Sequence, residues 1–521
     1  MHESQAKLYR SAGLGESLAV YLPVTAVTRV VGLGRVVLLV WLMQQGEFGL
    51  LSLSLLLINV AMPVCSLGLN EALARYVPQH EIRGTLRRFV TSGAMLVVAV
   101  GALLTLVVAL CGGPLGKMVF ASPIAADGFQ AIASARLAGL VRTSAAATFG
   151  LILYWLVGAV LRGLRMFKAL SLMELCSALL FAGLAVVATL TGWRQAEVLL
   201  ECYLTSLLIP AFVFGLFCAR RLPRSDEQPV SRPAGTKRVL LGYGVWIAAA
   251  TVMWQLVQYW PMWLVNKAGG TEVTAVFAAV RQIGQLVIIA AGALTTVVAA
   301  AVTRKWEAEG RTTAEAQLRL AIKAMGLALL VICAGACLAK GWLIRLFPPN
   351  YAAGAEILPV LLGSFLMLGM ITLLVTWFGL LERTRWVFAV YAVAVGCNAL
   401  FGRLLIGGVS GCQQITWSTS TITSGSGNLL GAAAWTGMLA AACAAALCLM
   451  LLRAVGRRMD VGTYLVFCGP LFLGLRWPFM LTGVVLLIVA AWCSAIILTA
   501  AERARLLSGL WGLIRSVRRN R

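Results

Sequence analysis

Long apolar runs, each closed by a short polar or basic stretch, follow one another along the whole chain. They fall at approximately 17–43, 47–73, 89–111, 137–161, 169–191, 198–219, 239–265, 273–303, 317–339, 354–380, 386–408, 429–452, 461–475 and 479–500. A helix needs about 20 mostly apolar residues to cross a bilayer. In hydrocarbon, every backbone group must find its hydrogen bond within the spanning structure. The pattern therefore predicts an all-α integral membrane protein of about fourteen helices. The thirteenth run is short, and one helix through 461–500, interrupted at Arg476, Trp477 and Pro478, is the alternative there.

Composition agrees and removes other classes. Apolar residues make up 60% of the chain and charged ones 12%, against roughly 45–50% and 25% in soluble domains. No stretch is long and polar enough for a soluble domain. The net charge of +24 is dispersed in short blocks between apolar runs, which speaks for topology and against nucleic acid. With the N-terminus inside, one set of connections carries Lys7, Arg10, Arg75, Arg83, Arg87, Arg88, Arg162, Arg165 and Lys168. The same side holds the basic loop 220–238, then Arg304, Lys305, Arg311, Arg319, Lys323, Arg383, Arg385, Arg453, Arg457 and Arg458. The opposite set carries only Lys117, Arg136, Arg194, Lys267, Lys340, Arg345 and Arg476. One unbroken last helix would leave the Arg-rich tail outside, so a final hairpin with both chain ends inside is expected. The first run, Ser17 to Met43, is too long for a signal sequence and no small-residue cleavage site follows it.

This gives a six-helix bundle over 1–220, a basic cytoplasmic linker over 221–238 and a second six-helix bundle over 239–453. An extra transmembrane hairpin over 454–500 and a basic amphipathic tail over 501–521 complete the chain. Two bundles of even helix number are parallel repeats about an axis along the membrane normal, an arrangement suited to alternating access. The tail sets Leu506, Leu510, Leu513, Ile514 and Val517 against a basic face, as on an anionic inner leaflet. The uncharged, Ser/Thr-rich segment 407–427 reads as an outer loop.

Chemistry is sought among ionisable groups at membrane depth. The 13 cysteines are scattered, mostly within apolar runs, and Cys333 and Cys337 have no His or carboxylate nearby. His2 and His80 lie in cytoplasmic segments, so neither a metal site nor a cofactor is expected. A membrane glycosyltransferase would need a polar catalytic loop, and the longest outer loops offer only Asp127. Arg29 and Arg35 in the first helix, Arg142 in the fourth and Arg281 in the eighth are different, because an arginine at a helix centre costs roughly 2.5–3.5 kcal/mol. Arg142 and Arg403 lie near helix ends and can snorkel; Arg29 cannot easily. Glu71 and Glu174 fall near cytoplasmic ends, Glu201 and Glu356 near outer ends. The deep arginines thus outnumber nearby carboxylates, and a cationic cavity is expected, with pairing to Glu or helix C-termini as the alternative. Guanidinium forks take phosphate oxygens bidentately, so a pyrophosphate fits. Pro23, Pro261, Gly32 and Gly34 are candidate hinges. A drug or cation antiporter would instead need buried carboxylates.

The segment GEFGLLSLSLLLINVAMPVCSLGLNEALARYVPQ, Gly46 to Gln79, resembles the polysaccharide biosynthesis (Wzx-type O-antigen flippase) family of the multidrug/oligosaccharidyl-lipid/polysaccharide exporter superfamily. LRGLRMFKA, FPPNYAAGAEILPVL, and Asn398 with the later GAAAW extend the likeness over most of 15–455. The resemblance implies a bacterial inner-membrane flippase for undecaprenyl-pyrophosphate-linked repeat units, working beside a polysaccharide polymerase and chain-length machinery. It implies a MATE-like pair of bundles, and a cationic cavity to which Arg29, Arg35 and Arg281 are suited. A lipid II flippase is the nearest alternative. Two departures are QYWPMW in the seventh helix, where relatives often have an acidic residue, and the Ser/Thr-rich insertion.

Overall fold

The structure, a computed structural model, describes residues 14–82, 84–121, 134–164, 166–222, 236–308, 310–381, 383–411, 422–457 and 459–508. The middle of the 220–238 linker, residues 412–421 of the Ser/Thr-rich insertion and the tail beyond 508 lie outside the described residues. The flanking parts of that insertion, expected as loop, continue the helices on either side, since the backbone there still finds its hydrogen bonds along the helix. Among the described residues the chain is helical without strands, and eleven helices are long and apolar enough to cross a membrane. It forms two compact units, Met1–Ala279 and Val280–Arg521.

The first unit comprises α1 (Leu14–Leu42), α2 (Gln45–Ser66), α3 (Leu69–Ile82), α4 (Leu86–Leu110), α5 (Gly112–Phe120), α6 (Ser134–Gly163), α7 (Phe167–Leu190) and α8 (Ala196–Arg221). It also takes the first limb of α9 (Thr236–Ala308), a helix broken at Gly270, where φ is 77° and ψ −175°. A helix that is apolar all round belongs in the interior, and α2 and α6 have 78% and 67% of their most apolar windows buried. By contrast α1, α4 and α8 bury 17%, 22% and 28% and expose Leu103, Leu106, Phe212 and Val213, side chains suited to lipid.

The expected single helix over 47–73 is two. α2 stops at Ser66, Leu67 and Gly68 take left-handed conformations (φ 46° and 65°), and α3 leaves in a new direction. The cause is packing: a Cβ on Gly68 would lie 2.3 Å from the Gly244 carbonyl oxygen of α9. Near the other end of α2, a Cβ on Gly49 would lie 2.0 Å from the Thr271 carbonyl oxygen. The first limb of α9 therefore runs along α2 in backbone contact near both ends.

In the second unit α12 (Gly354–Leu380) is the axis, with 89% of its most apolar window buried. Around it pack α10 (Arg311–Leu338), α13 (Thr384–Gly411), α14 (Ile422–Ala454) and α15 (Val461–Leu473), with the short α11 (Lys340–Ile344) over its start. α15 and α16 (Trp477–Cys493) are separate helices, α16 opening on Pro478. The final apolar stretch is thus a hairpin and not one helix. Proline suits such a start, where its missing N–H is no loss. A last helix, α17, covers 500–508.

The Gly49 contact yields a test. Gly49→Val has no room beside the Thr271 backbone and should abolish monodisperse purification or markedly lower the melting temperature. Gly32→Ala, where nothing lies within 4 Å, should leave it unchanged.

Candidate functional site

α1 packs along α7, and their polar residues meet in two layers about two turns apart. The inner layer joins Arg29 of α1 and Arg162 of α6, whose charges both act on Glu174 of α7. Tyr154 of α6 borders the same carboxylate and is hydrogen-bonded to Ser177. In the outer layer the Arg35 guanidinium sits 4.1 Å from the centroid of the Phe181 ring. Phe181 leans on Tyr203 of α8 at 5.0 Å, and Tyr203 lies within electrostatic reach of Arg35 and of Tyr259 in α9.

The two arginines are thus in different situations. Arg29 is exposed and has a counter-charge in Glu174. Arg35 rests on the Phe181 ring, its buried Nε has no hydrogen-bond partner, and among the described residues no carboxylate is paired with it. A cation–π contact contributes about 0.5–2 kcal/mol, so the cation retains most of its appetite for an anion.

The other candidates lie elsewhere. Arg142 is exposed on α6, twelve residues before Tyr154, hence about 18 Å along the helix and a third of a turn round it. Arg281, in the second unit, is 3% exposed. With the Gln285 amide oriented by its hydrogen bonds, Arg281 donates to its side-chain oxygen at 2.7 and 3.0 Å, and Gln285 donates to Gln282 at 2.9 Å. The Phe365 ring lies 5.7 Å from the guanidinium. Helix α1 continues through Pro23, Gly32 and Gly34, and α9 continues through the buried Pro261; the interruption comes at Gly270.

Two ion clusters escaped the sequence reading, which had placed Arg136 in an outer connection and Lys323 in a cytoplasmic one. Arg136 lies in the first turn of α6, where Nη2 donates to Glu47 at 2.8 and 2.9 Å and Nε to Glu197 at 2.8 Å. Glu47 also accepts from the Ala196 N–H at 2.9 Å, so the starts of α2, α6 and α8 are fastened together. Lys323 is buried within α10, with Nζ 2.5 Å from Asp460 and 3.1 Å from Glu502. Thr463 donates to Asp460 at 2.7 Å, and Thr499 donates to Glu502 through its N–H and hydroxyl. Arg457 pairs with Glu315 nearby. Acidic residues in first turns, as at Glu47 and Glu197, were the available signal.

Burial opposes ionisation of Asp460, but hydrogen bonds from Lys323 and Thr463 outweigh it and hold the carboxyl below its usual 3.8. A depressed carboxylate stabilises the fold above its unfolded pKa and loses that contribution as pH falls through the folded value. The melting temperature should therefore be insensitive to this group from neutrality down to about pH 5 and fall below about pH 4. Asp460→Asn should melt lower at neutral pH and show a smaller acid-side loss. For the other cluster, Arg136→Ala leaves two carboxylates facing each other, so Arg136→Ala/Glu197→Gln should melt higher than Arg136→Ala alone.

The fold is that of multi-span membrane transporters. The lipid II flippase MurJ in an inward closed conformation superposes with a TM-score of 0.59 at 12% identity, over 91% of this chain and 98% of that one. An inward-facing multidrug resistance MATE family transporter of the MOP superfamily gives 0.58 at 16%, over 83% and 96%. A MOP superfamily transporter from Pyrococcus furiosus gives 0.58 at 14%, over 85% and 95%. No curated protein matches the sequence. The profile of the polysaccharide biosynthesis protein family matches residues 14–304, and the chain belongs to that family.

Proposed function

We propose that this protein is a flippase that moves undecaprenyl-pyrophosphate-linked oligosaccharide across the bacterial inner membrane by alternating access. The observation that carries the reading is Arg35, a guanidinium at membrane depth that rests on Phe181 and has no carboxylate partner among the described residues. Membership of the polysaccharide biosynthesis protein family supports a glycan-bearing substrate. Counting the α9 limbs as two spans and α15–α16 as a hairpin is compatible with fourteen, and the basic connections favour both ends inside.

In this mechanism Arg35 takes the pyrophosphate and Arg29 joins it as the anion displaces Glu174. The polyprenyl tail stays in lipid beside the apolar outer faces, and the protein performs no covalent chemistry. Arg281 and Arg142 are assigned to the same cationic path in other conformations of the cycle. Bending at Pro23, Gly32, Gly34 and Pro261 supplies the movement. A drug antiporter is less well supported, because Glu174, the carboxylate of the inner layer, faces two arginines.

A charge-assisted hydrogen bond is worth roughly 1.5–3 kcal/mol, so losing a bidentate pair should weaken binding on the order of a hundredfold or more. Arg35→Ala is expected to abolish surface polysaccharide and leave lipid-linked oligosaccharide on the cytoplasmic leaflet, at unchanged protein level. Arg35→Lys should retain part of the export. Wild-type export by Arg35→Ala would end the assignment. Loss of viability on depletion, with surface glycan intact beforehand, would favour lipid II instead.

A further inference from the structure

Where the first limb of α9 approaches its break, three side chains at i, i+3 and i+4 face the last turn of α5. Trp263 Nε1 donates to the Met118 carbonyl at 3.1 Å. Asn266 Nδ2 donates to Val119 at 3.0 Å and Phe120 at 3.3 Å. Lys267 Nζ donates to Lys117 at 3.3 Å and Ala121 at 2.6 Å. These carbonyls belong to the end of a helix, where no further turn supplies N–H donors, and a cation there suits the helix dipole.

We propose that this clasp is an outer gate, with Trp263, Asn266 and Lys267 releasing the end of α5 when the outer side opens and taking it up again on closure. The inference rests on the alternating-access reading but not on its substrate. Four observations carry it. Every bond runs from a side-chain donor to a backbone carbonyl, so water can replace each one on release. The Arg136 cluster of the same unit is of another kind: separating it would expose two carboxylates to each other, which marks it as fixed. Gly270, three residues beyond Lys267, holds a left-handed φ with nothing within 4 Å of its Cβ position, and so has space to pivot. Finally, Asn266 is fully buried while its Oδ1 has no hydrogen-bond partner. The closed clasp thus leaves an acceptor unsatisfied that opening would hydrate, which keeps the two states close in free energy.

The chain has only two histidines, so a metal bridge can be built with little background. In Lys117→His/Lys267→His carrying Asn266→Cys, reconstituted with the outer face accessible, Ni²⁺ should join the two imidazoles and lock the clasp. Two readouts are taken: alkylation of position 266 by a membrane-impermeant maleimide, read by peptide mass spectrometry, and flipping of fluorescent undecaprenyl-pyrophosphoryl-N-acetylglucosamine. In the double-histidine variant Ni²⁺ should lower both by about tenfold or more and EDTA should restore both. The single-histidine variants, in which Ni²⁺ can only sit on the thiolate introduced at position 266 and one imidazole, should keep both. A rise in melting temperature with Ni²⁺, absent in the single-histidine variants, reports that the bridge has formed. Flipping unchanged with the bridge in place would overturn the gate, as would absence of labelling at 266 when an exposed Lys340→Cys control labels. Metal-sensitive labelling in a protein that flips no probe before Ni²⁺ is added would support the gate and count against the proposed substrate.

Discussion

Charge carried into hydrocarbon must be compensated, and the arrangement of the helices follows the ways in which this chain does so. Arg136 has two glutamates, and meeting them brings the starts of α2, α6 and α8 to one point. Lys323 has Asp460 and Glu502, and meeting them ties the terminal hairpin and α17 to the side of α10. Arg281 has an amide and an aromatic ring in a closed setting. In the first two, carboxylates take up most of the hydrogen-bonding capacity of the cation. Arg29 and Arg35 depart from the pattern by degrees, the first sharing one carboxylate with Arg162, the second leaning on Phe181 with an idle Nε. Compensation thus grades from complete at Arg136 and Lys323 to least complete at Arg35.

Most of the helical layout was legible in the chain, because hydropathy over about 20 residues reports directly on what hydrocarbon accepts. The turn between the limbs of α9 was marked by the polar KAGGTE, and the terminal hairpin by Arg476 and Pro478. The split of the second run at Leu67–Gly68 was not, since nothing in an apolar run announces that another backbone will pass within contact distance of one glycine. The ion clusters were hidden for a related reason. Arg136 lies 89 and 61 residues from its two glutamates, and pairing across helices leaves no periodic trace in sequence. Position in a connection guided the reading of Arg136 and Lys323, and the first-turn acids Glu47 and Glu197 were the only hint of a partner for Arg136. Arg29 and Arg35 stood out in the sequence as cations within an apolar run, but their different surroundings depend on Glu174 and Phe181, seven residues apart on a helix that is not their neighbour in sequence.

The contact between α2 and the first limb of α9 gives the first unit its particular character. Backbone meets backbone near both ends of α2, so no side-chain rearrangement can absorb a change in spacing there. Between those contacts the limb carries Tyr259 toward Tyr203 and the Arg35 layer. Any shift of the limb is therefore felt at the Arg35 layer, which puts that layer and the clasp on α5 on one mechanical element.

The Lys323 cluster also constrains how the protein is made. Glu502 stands 179 residues beyond Lys323, and ribosomes add roughly 5–20 residues per second. For about 10 to 40 seconds after its synthesis, α10 exists with an ammonium group in its apolar body and without its full pair of distal carboxylates, Asp460 being made before Glu502. During that interval the nascent helix must be sheltered by the insertion machinery or by water at the membrane surface. Only arrival of the last hairpin lets it settle, so the final segment of the chain serves as the completion signal for a helix made long before it.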